Sequence, residues 1–443
     1  MSGMSIHNLH STFGLFAILA LAWGLSCHRR VINIRLIVIG LCMQLLLGFF
    51  IFRMQSGIVA FQFVNQAVVA VLDSAGAGAR FLFGPLALGP GQTDDIGQSS
   101  VGFILAFQAF PTIIFFSALI AILYRLGVMV WVVRGFAYLF ARCLRTSGAE
   151  SLAAASNIFV GIESTLTVKP YLARMTRSEL CTVLTAGMAT VASNVLALYV
   201  LTLQETFPQI AGHLVSASLL SAPAALVMAK LLYPEVETPE TLDQYVTPYY
   251  EREDSYFEAI INGANSGVRM IVGISALLIA VISLVALVDL VLNGVGSHVN
   301  LLFGMEGSWS LKGISGYLFY PLVLLLGVSP PDLGTAAEII GERLVVTEVV
   351  AYQDLAVALK SGALQDGRSA VIITYALCGF AHLASMAIFV GGACALVPER
   401  KRDLTAVAWR ALAAATLACL STACIAGIYT TSGRSLLLLS EMP

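Results

Sequence analysis

Long apolar runs alternate with short polar breaks along most of this chain. Runs of spanning length occupy residues 11–27, 31–52, 100–133, 178–203, 210–232, 266–293, 367–396 and 404–430. A hydrocarbon core takes about 20 apolar residues per crossing helix, so the pattern predicts eight membrane helices. The run from Phe13 to Cys27 carries its positive charge (His28, Arg29, Arg30) after it, with no small-residue cleavage pattern, and reads as a first membrane helix rather than a secretory signal. From Ile58 to Leu88 apolar residues mix with Gln, Asn, Asp and Arg, which suits a helix lying along the interface. Gly89 to Ser99 reads as a polar loop, and Tyr233 to Asp254, rich in acids and with three prolines, as a solvent-exposed linker. The chain then divides as one membrane unit into 1–99 (first helices and interfacial helix), 100–235 (third helix, first hairpin, first half), 236–260 (polar loop) and 261–443 (sixth helix, second hairpin, second half).

Two apolar segments do not fit straight spans. Ser151 to Tyr171 contains Glu163 and Lys169, and Ala336 to Leu359 contains Glu342, Arg343, Glu348 and Asp354. Ionisable side chains at membrane depth face a protein interior or a watery cavity rather than lipid. Each segment is therefore expected to be a re-entrant hairpin of two half-helices, whose irregular tip is tolerated only where it lines a site. Lys169 and Arg343 are expected to reach the interface or to close charge pairs within the hairpins, and Asp354 to be a structural partner in the second. Glu348 has two readings, a ligand contact at the tip or a pair with Arg343.

Only 11% of the 443 residues are charged and 58% are apolar or aromatic, against roughly a quarter charged in soluble domains, which excludes a water-soluble globule. With 24 basic and 26 acidic residues no positive excess exists to hold a nucleic-acid backbone. Basic residues after the first run (Arg29, Arg30, Arg35), after the third (Arg125, Arg134, Arg142, Arg145) and at Arg400, Lys401 and Arg402 are expected on the cytoplasmic side of an inner membrane, with the N-terminus outside. The eight cysteines form no CxxC pair and read as small core residues, and the six histidines show neither a nucleophile partner nor metal spacing. No enzyme and no cofactor are expected.

The sequence also repeats itself. Gly187-Met188-Ala189-Thr190-Val191-Ala192-Ser193 and Gly379-Phe380-Ala381-His382-Leu383-Ala384-Ser385 share one pattern at a separation of 192 residues. Each follows a charged hairpin, with a similar pair between (Arg177-Ser178, Arg368-Ser369). Paired broken segments in corresponding halves point to a transporter's central site. The small residues are expected to interrupt the helices and free carbonyls for a cation.

At these residues the chain resembles the concentrative nucleoside transporter family. The match runs in order through Phe107-Gln108-Ala109-Phe110-Pro111-Thr112, Gly148-Ala149-Glu150-Ser151 to Gly161, Thr185 to Leu196, Gly341-Glu342-Arg343 with Thr347-Glu348-Val349-Val350-Ala351-Tyr352, Cys378-Gly379-Phe380-Ala381, and Pro398-Glu399-Arg400 with Asp403-Leu404. The resemblance implies an all-α membrane fold of eight helices and two opposed re-entrant hairpins, a homotrimer, and an elevator-like transport domain that drives nucleosides uphill with Na+ or H+. It further implies that Glu348 and Ser385 hold the ribose, with His382 at a position where the family has Asn. Gly161, Ile162, Glu163, Ser164 and Thr347 fall in the hairpin tips that meet the ligand, and Phe380 is a candidate apolar wall for a ring. Asn157, Val160, Thr190 and Val191 fall at the family's Na+ positions.

The departures concern the ligand. Where the family reads G-Q-T-E in the first hairpin this chain reads Gly161-Ile162-Glu163, and Thr347 and Val349 replace Asn and Phe in the second. Missing hydrogen-bonding groups cost about 1 to 3 kcal/mol each when their partners stay buried, so an altered base preference is expected. His382, a residue type that titrates near neutral pH, is a candidate proton carrier. Transport of another small polar solute (a modified nucleoside, a nucleobase or a sugar-like compound), or a channel or sensor on the same scaffold, stays open at this point.

Overall fold

The computed structural model describes residues 6–93, 97–161, 164–250, 253–303 and 309–430. Ile162 and Glu163 lie outside the described residues. Among the described residues the fold is all-α, with a single bridge between Thr93 and Ser99. The first section comprises α1 (Ile6–Gly24), α2 (Ile34–Arg53), α3 (Gln55–Phe83), α4 (Leu105–Gln108), α5 (Phe110–Arg125) and α6 (Val128–Leu144). Asn33 starts α2 by accepting from Leu36 N at 3.1 Å, which satisfies one of the donors every helix leaves orphaned at its start. The run expected at 100–133 does not hold as one helix: Gly127, at φ +80°, turns the chain between α5 and α6, a left-handed conformation that a residue without Cβ adopts freely.

The first hairpin is α7 (Gly148–Asn157), α8 (Ser164–Thr167) and α9 (Lys169–Leu172), followed by α10 (Arg177–Ala189), α11 (Ser193–Leu203) and α12 (Ile210–Leu232). The second half runs α13 (Tyr256–Phe303), α14 (Leu311–Leu326), then the second hairpin α15 (Leu333–Val345) and α16 (Glu348–Ser361), then α17 (Gly367–Leu377), α18 (Leu383–Leu396) and α19 (Lys401–Tyr429). Both hairpins are present, one residue pair (Val346 and Thr347) turning the second. The run at 367–396 is two helices, and α10 and α11 break at the matching place, so both repeat motifs interrupt their helices as expected. Helix α14 had no counterpart among the spans read from the sequence.

Seven helical stretches among the described residues are long and apolar enough to cross a bilayer: 34–53, 55–87, 105–125, 177–203, 210–232, 256–302 and 398–429. At 48 residues, α13 is about 72 Å long, well beyond the hydrocarbon core. It packs along α5 through Gly263 and Gly267, where an added Cβ would sit 2.7 Å from the Ala118 and Ile114 backbones; small residues at this spacing let membrane helices approach closely. Helices α10, α12, α17 and α19 form the buried centre.

Charged groups inside this fold are tied down. Lys230 lies 2.8 Å from Glu150 and 3.1 Å from Glu235 and donates to Ser178 Oγ at 2.9 Å. Ser147 Oγ donates to Glu179 at 2.5 Å, so the base of the first hairpin is fastened to the starts of α10 and the end of α12. The Arg-Ser pairs of the two halves differ: Arg177 meets Asp403 at the surface at 2.8 Å, whereas Arg368 is fully buried and donates to the Gly327, His7 and Thr430 carbonyls. The linker at 233–254 is not simply in solvent. Tyr249 N donates to Thr167 O at 2.9 Å, Tyr250 stacks on Tyr124 at 5.2 Å, and Lys169 lies over the Tyr249 ring.

Candidate functional site

The break in α17 and α18 and the turn of the second hairpin bring the start of α18 against the start of α16. Glu348 is the first residue of α16 and His382 caps α18. Their side chains meet at 2.7 Å, Nε2 to carboxylate, and both are almost fully buried. Tyr199 of α11 donates its hydroxyl to the other Glu348 oxygen at 2.7 Å, and its ring packs on Tyr352 at 4.6 Å. Ser385 Oγ lies 2.6 Å from His382 Nε2, and Ser385 N–H donates to Nδ1 at 3.3 Å. Nδ1 accepts, so the proton sits on Nε2, whose hydrogen-bond partner is Ser385 Oγ, and the Glu348 oxygen at 2.7 Å is a close contact outside hydrogen-bond geometry. A carboxylate at a helix N-terminus is favoured by the helix dipole, and the starts of α11, α16 and α18 all open on this cluster.

The cluster is the polar end of a cavity of about 690 Å³ including its mouth. Gly161, Thr347, Glu348, Phe380, His382 and Ser385 line it, and so do Val195, Ile388, Phe389 and the α13 residues Met270, Ile274, Leu277 and Leu278. Acceptors and donors thus gather at one end and an apolar wall at the other. Such a space fits a ligand with hydroxyls on one side and a flat ring on the other. Ser164 does not line the cavity; it is buried and donates to Asn157 Oδ1 at 2.8 Å.

The four residues at the expected cation positions, Asn157, Val160, Thr190 and Val191, are all buried. Ser193 N donates to Phe159 O at 3.3 Å, fastening the first hairpin's tip to the break between α10 and α11. Asn157 Nδ2 donates to Ala153 O at 2.9 Å, which aims its Oδ1 away from its own helix. Thr190 Oγ1 donates to Ala186 O at 3.0 Å and keeps lone pairs.

Several readings of the sequence change here. Arg343 neither reaches the interface nor pairs with Glu348: it is fully buried and donates to Ala376 O at 2.5 Å. Glu342 and Asp354 instead share Lys312 of α14, a residue outside the hairpin. Sequence reasoning missed Tyr199 and Asn194. Asn194 lines this cavity and a second one, of about 1050 Å³ with its mouth, that opens toward Tyr249 and Tyr250; its buried Oδ1 has no partner among the described residues. Asn194 stands one residue beyond the repeat motif, a polar side chain at a helix break, and that was the available signal.

Comparison with known proteins follows the same course. The chain matches the family description "Na+ dependent nucleoside transporter N-terminus" at residues 13–86, "Nucleoside recognition" at 106–206 and "Na+ dependent nucleoside transporter C-terminus" at 213–427. It is 38% identical over 435 residues to mouse (Mus musculus) solute carrier family 28 member 3, covering 95% of this chain and 59% of that protein. To mouse sodium/nucleoside cotransporter 1 it is 35% identical, over 95% of this chain and 63% of the relative. The chain therefore spans about three fifths of the length of these relatives. To the uncharacterized transporter YutK of Bacillus subtilis (strain 168) it is 37% identical over 95% of this chain and 99% of that one. The solved structure of CNTnw in an inward-facing substrate-bound state superposes with TM-score 0.85 at 35% identity, covering 96% and 98% of the two chains. A CNTnw variant in an outward-facing state gives 0.86 at 34% identity, again over 96% and 98%. The all-α polytopic fold is that of the CNTnw structures, and the chain belongs to the concentrative nucleoside transporter family.

Proposed function

We propose that this multi-pass membrane protein carries nucleosides, or close analogues, across the inner membrane by Na+-coupled symport with an elevator movement, acting as a homotrimer. The observation that carries the reading is the cavity itself, with Glu348, His382 and Ser385 at its polar end and Phe380, Phe389 and the α13 residues as its apolar wall. In this reading Glu348 and Ser385 hold the ribose, the apolar wall receives the base, and Gly161, Thr347, Ile162, Glu163 and Ser164 belong to the two tips that close over it. Asn194 offers its carbonyl oxygen to the ligand's ring.

For the ion, a hard cation is held by neutral oxygens from an Asn amide, a hydroxyl and freed carbonyls, which Asn157, Thr190, Val160 and Val191 supply. Na+ is favoured over H+ because the family descriptions that the chain matches are those of Na+ dependent nucleoside transporters. The four sections of the chain, 1–99, 100–235, 236–260 and 261–443, work as one unit, in which the hairpins and their broken helices move against α5 and α13. The apolar exposed surface of α13 suits burial against lipid and against two further copies.

A different cargo on the same scaffold is the second reading, favoured by His382 and Ile162 standing where the family has Asn and Gln-Thr. Uptake by purified protein in liposomes, competed by a panel of nucleosides, nucleobases and sugars with and without Na+, separates the two. Inhibition by nucleosides that requires Na+ supports the first, and inhibition by free bases or sugars alone supports the second. Gel filtration with light scattering checks the trimer, which a monomeric mass would exclude.

A further inference from the structure

We propose that the second cavity, beside the 233–254 linker, is a nucleoside site in its own right, a weaker stopping place on the cytoplasmic side that shares Asn194 with the ligand cavity and holds the ribose on Glu253. The proposal rests on the nucleoside reading above.

The cavity, of about 1050 Å³ with its mouth, lies between α5, the start of α13, the first hairpin and the linker. Near the end of α5, Arg125 donates to Asp254 O at 3.1 Å and lies over the Tyr256 ring. Basic residues at this end, Arg125 and Arg134 among them, mark the cytoplasmic side. Asn194, the second residue of α11, lines both cavities and so marks where they adjoin. A solute that leaves the ligand cavity past Asn194 enters this space before it meets the cytoplasm.

The walls carry the chemistry of a binding site. Asn194 Oδ1 and Ser117 Oγ are buried without a partner among the described residues, the two residues being only 5% and 9% exposed. Both line this cavity. A buried polar atom left unpaired is costly, and a ligand entering by the mouth supplies the missing bonds. The carboxylate repeats the arrangement of the ligand cavity. There Tyr199 donates to Glu348 at 2.7 Å; here Tyr250 donates to Glu253 at 2.5 Å, leaving the second Glu253 oxygen for ribose hydroxyls. The Tyr250 ring in turn stacks on Tyr124 at 5.2 Å with the planes 23° apart. That pair is a flat aromatic ledge of the kind on which nucleobases stack, and the bond from Tyr249 N to Thr167 O holds the linker in place beside it.

The same groups explain why this site is the weaker one. Glu348 is almost fully buried, whereas Glu253 is only half-buried and Tyr249 is exposed. Hydrogen bonds to a charge lose strength where water is near.

The test is how many nucleosides one protomer binds. Equilibrium dialysis of tritiated adenosine, guanosine, cytidine and uridine against the purified full chain in saturating Na+ is expected to show two classes of site, the second about tenfold or more weaker. A single class of one site per protomer, up to about a hundredfold above its Kd, would overturn the proposal while leaving the nucleoside reading standing. Saturable binding of none of the four would remove that reading and the proposal with it. Glu253→Gln should weaken the second class about tenfold and leave the first within about twofold, with Glu348→Gln doing the reverse. A second class that neither Glu253→Gln nor Tyr250→Leu moves counts against the assignment. As an independent readout, Ser117→Cys places a thiol on this cavity and not on the other. Its modification by a water-soluble thiosulfonate, measured above the labelling of the eight native cysteines, should be blocked at the nucleoside concentrations that fill the second class. Protection that follows the first class, or none, contradicts the proposal. Should a linker variant fail to give a monodisperse gel-filtration peak, the wild-type stoichiometry and the Ser117→Cys protection decide.

Discussion

Replacing Glu348 by Gln is the most informative change at the cavity, because the surrounding geometry dictates how the amide must sit. Ser385 N–H fixes the His382 tautomer, so Nε2–H remains a donor and the amide oxygen has to face it. The amide nitrogen then faces Tyr199, whose hydroxyl can turn to accept. The protein itself loses little, and the fold should survive. The ligand loses more: hydroxyls that would donate to a carboxylate now donate to a neutral oxygen. Hydrogen bonds to charged groups contribute about 1 kcal/mol more than neutral ones, so two ribose hydroxyls lose about 2 kcal/mol, or roughly 30-fold in affinity. The assay is nucleoside binding by calorimetry and uptake in liposomes, with gel filtration and thermal melting as controls. An affinity within about threefold of wild type, a difference of some 0.6 kcal/mol, in a protein that melts normally would show that Glu348 does not hold the ligand.

Three further outcomes follow from the same geometry. Asn157→Ala and Thr190→Ala each remove an oxygen from the proposed ion site, and the Na+ concentration for half-maximal uptake should rise about tenfold, equivalent to 1.4 kcal/mol, with near-normal uptake at saturating Na+; an unchanged Na+ curve places the ion elsewhere. Gly379→Ala drives a Cβ to 2.7 Å from Cys419 Sγ at a positive φ, which should cost about 1 to 3 kcal/mol and lower the melting temperature, whereas Gly391→Ala, with nothing within 4 Å, should melt as wild type; equal melting of the two refutes the close approach. Lys230→Met strands Glu150 and Glu235, and breaking such a buried pair costs about 3 to 5 kcal/mol; the double change with Glu150→Gln should recover part of the lost melting temperature, and no recovery would mean that the pair is not coupled.

Much of this arrangement was legible in the residues because membrane burial makes charge expensive. The acids of the second hairpin stood out for that reason, and Glu348 does sit in a cavity beside His382 and Ser385. The helix breaks were legible from the repeated small residues. The partners were not. That Glu348 would be held by Tyr199, 149 positions away, depends on how α11 crosses α16, and no local pattern encodes that crossing. Arg343 looked like a residue bound for the interface or for a charge pair in its hairpin, because a long cationic side chain usually has water or an acid within reach; the facing end of α17 supplied the Ala376 carbonyl instead. The split between α5 and α6 turned on Gly127, one residue inside a mostly apolar run.

The central claim, Na+-coupled nucleoside transport through this cavity, is tested most directly by loading purified protein into liposomes and following labelled nucleoside against an imposed Na+ gradient. The account predicts accumulation above the outside concentration that collapses when the gradient is dissipated and is strongly reduced in Glu348→Gln. Equilibration without accumulation, or accumulation indifferent to Na+, would contradict it.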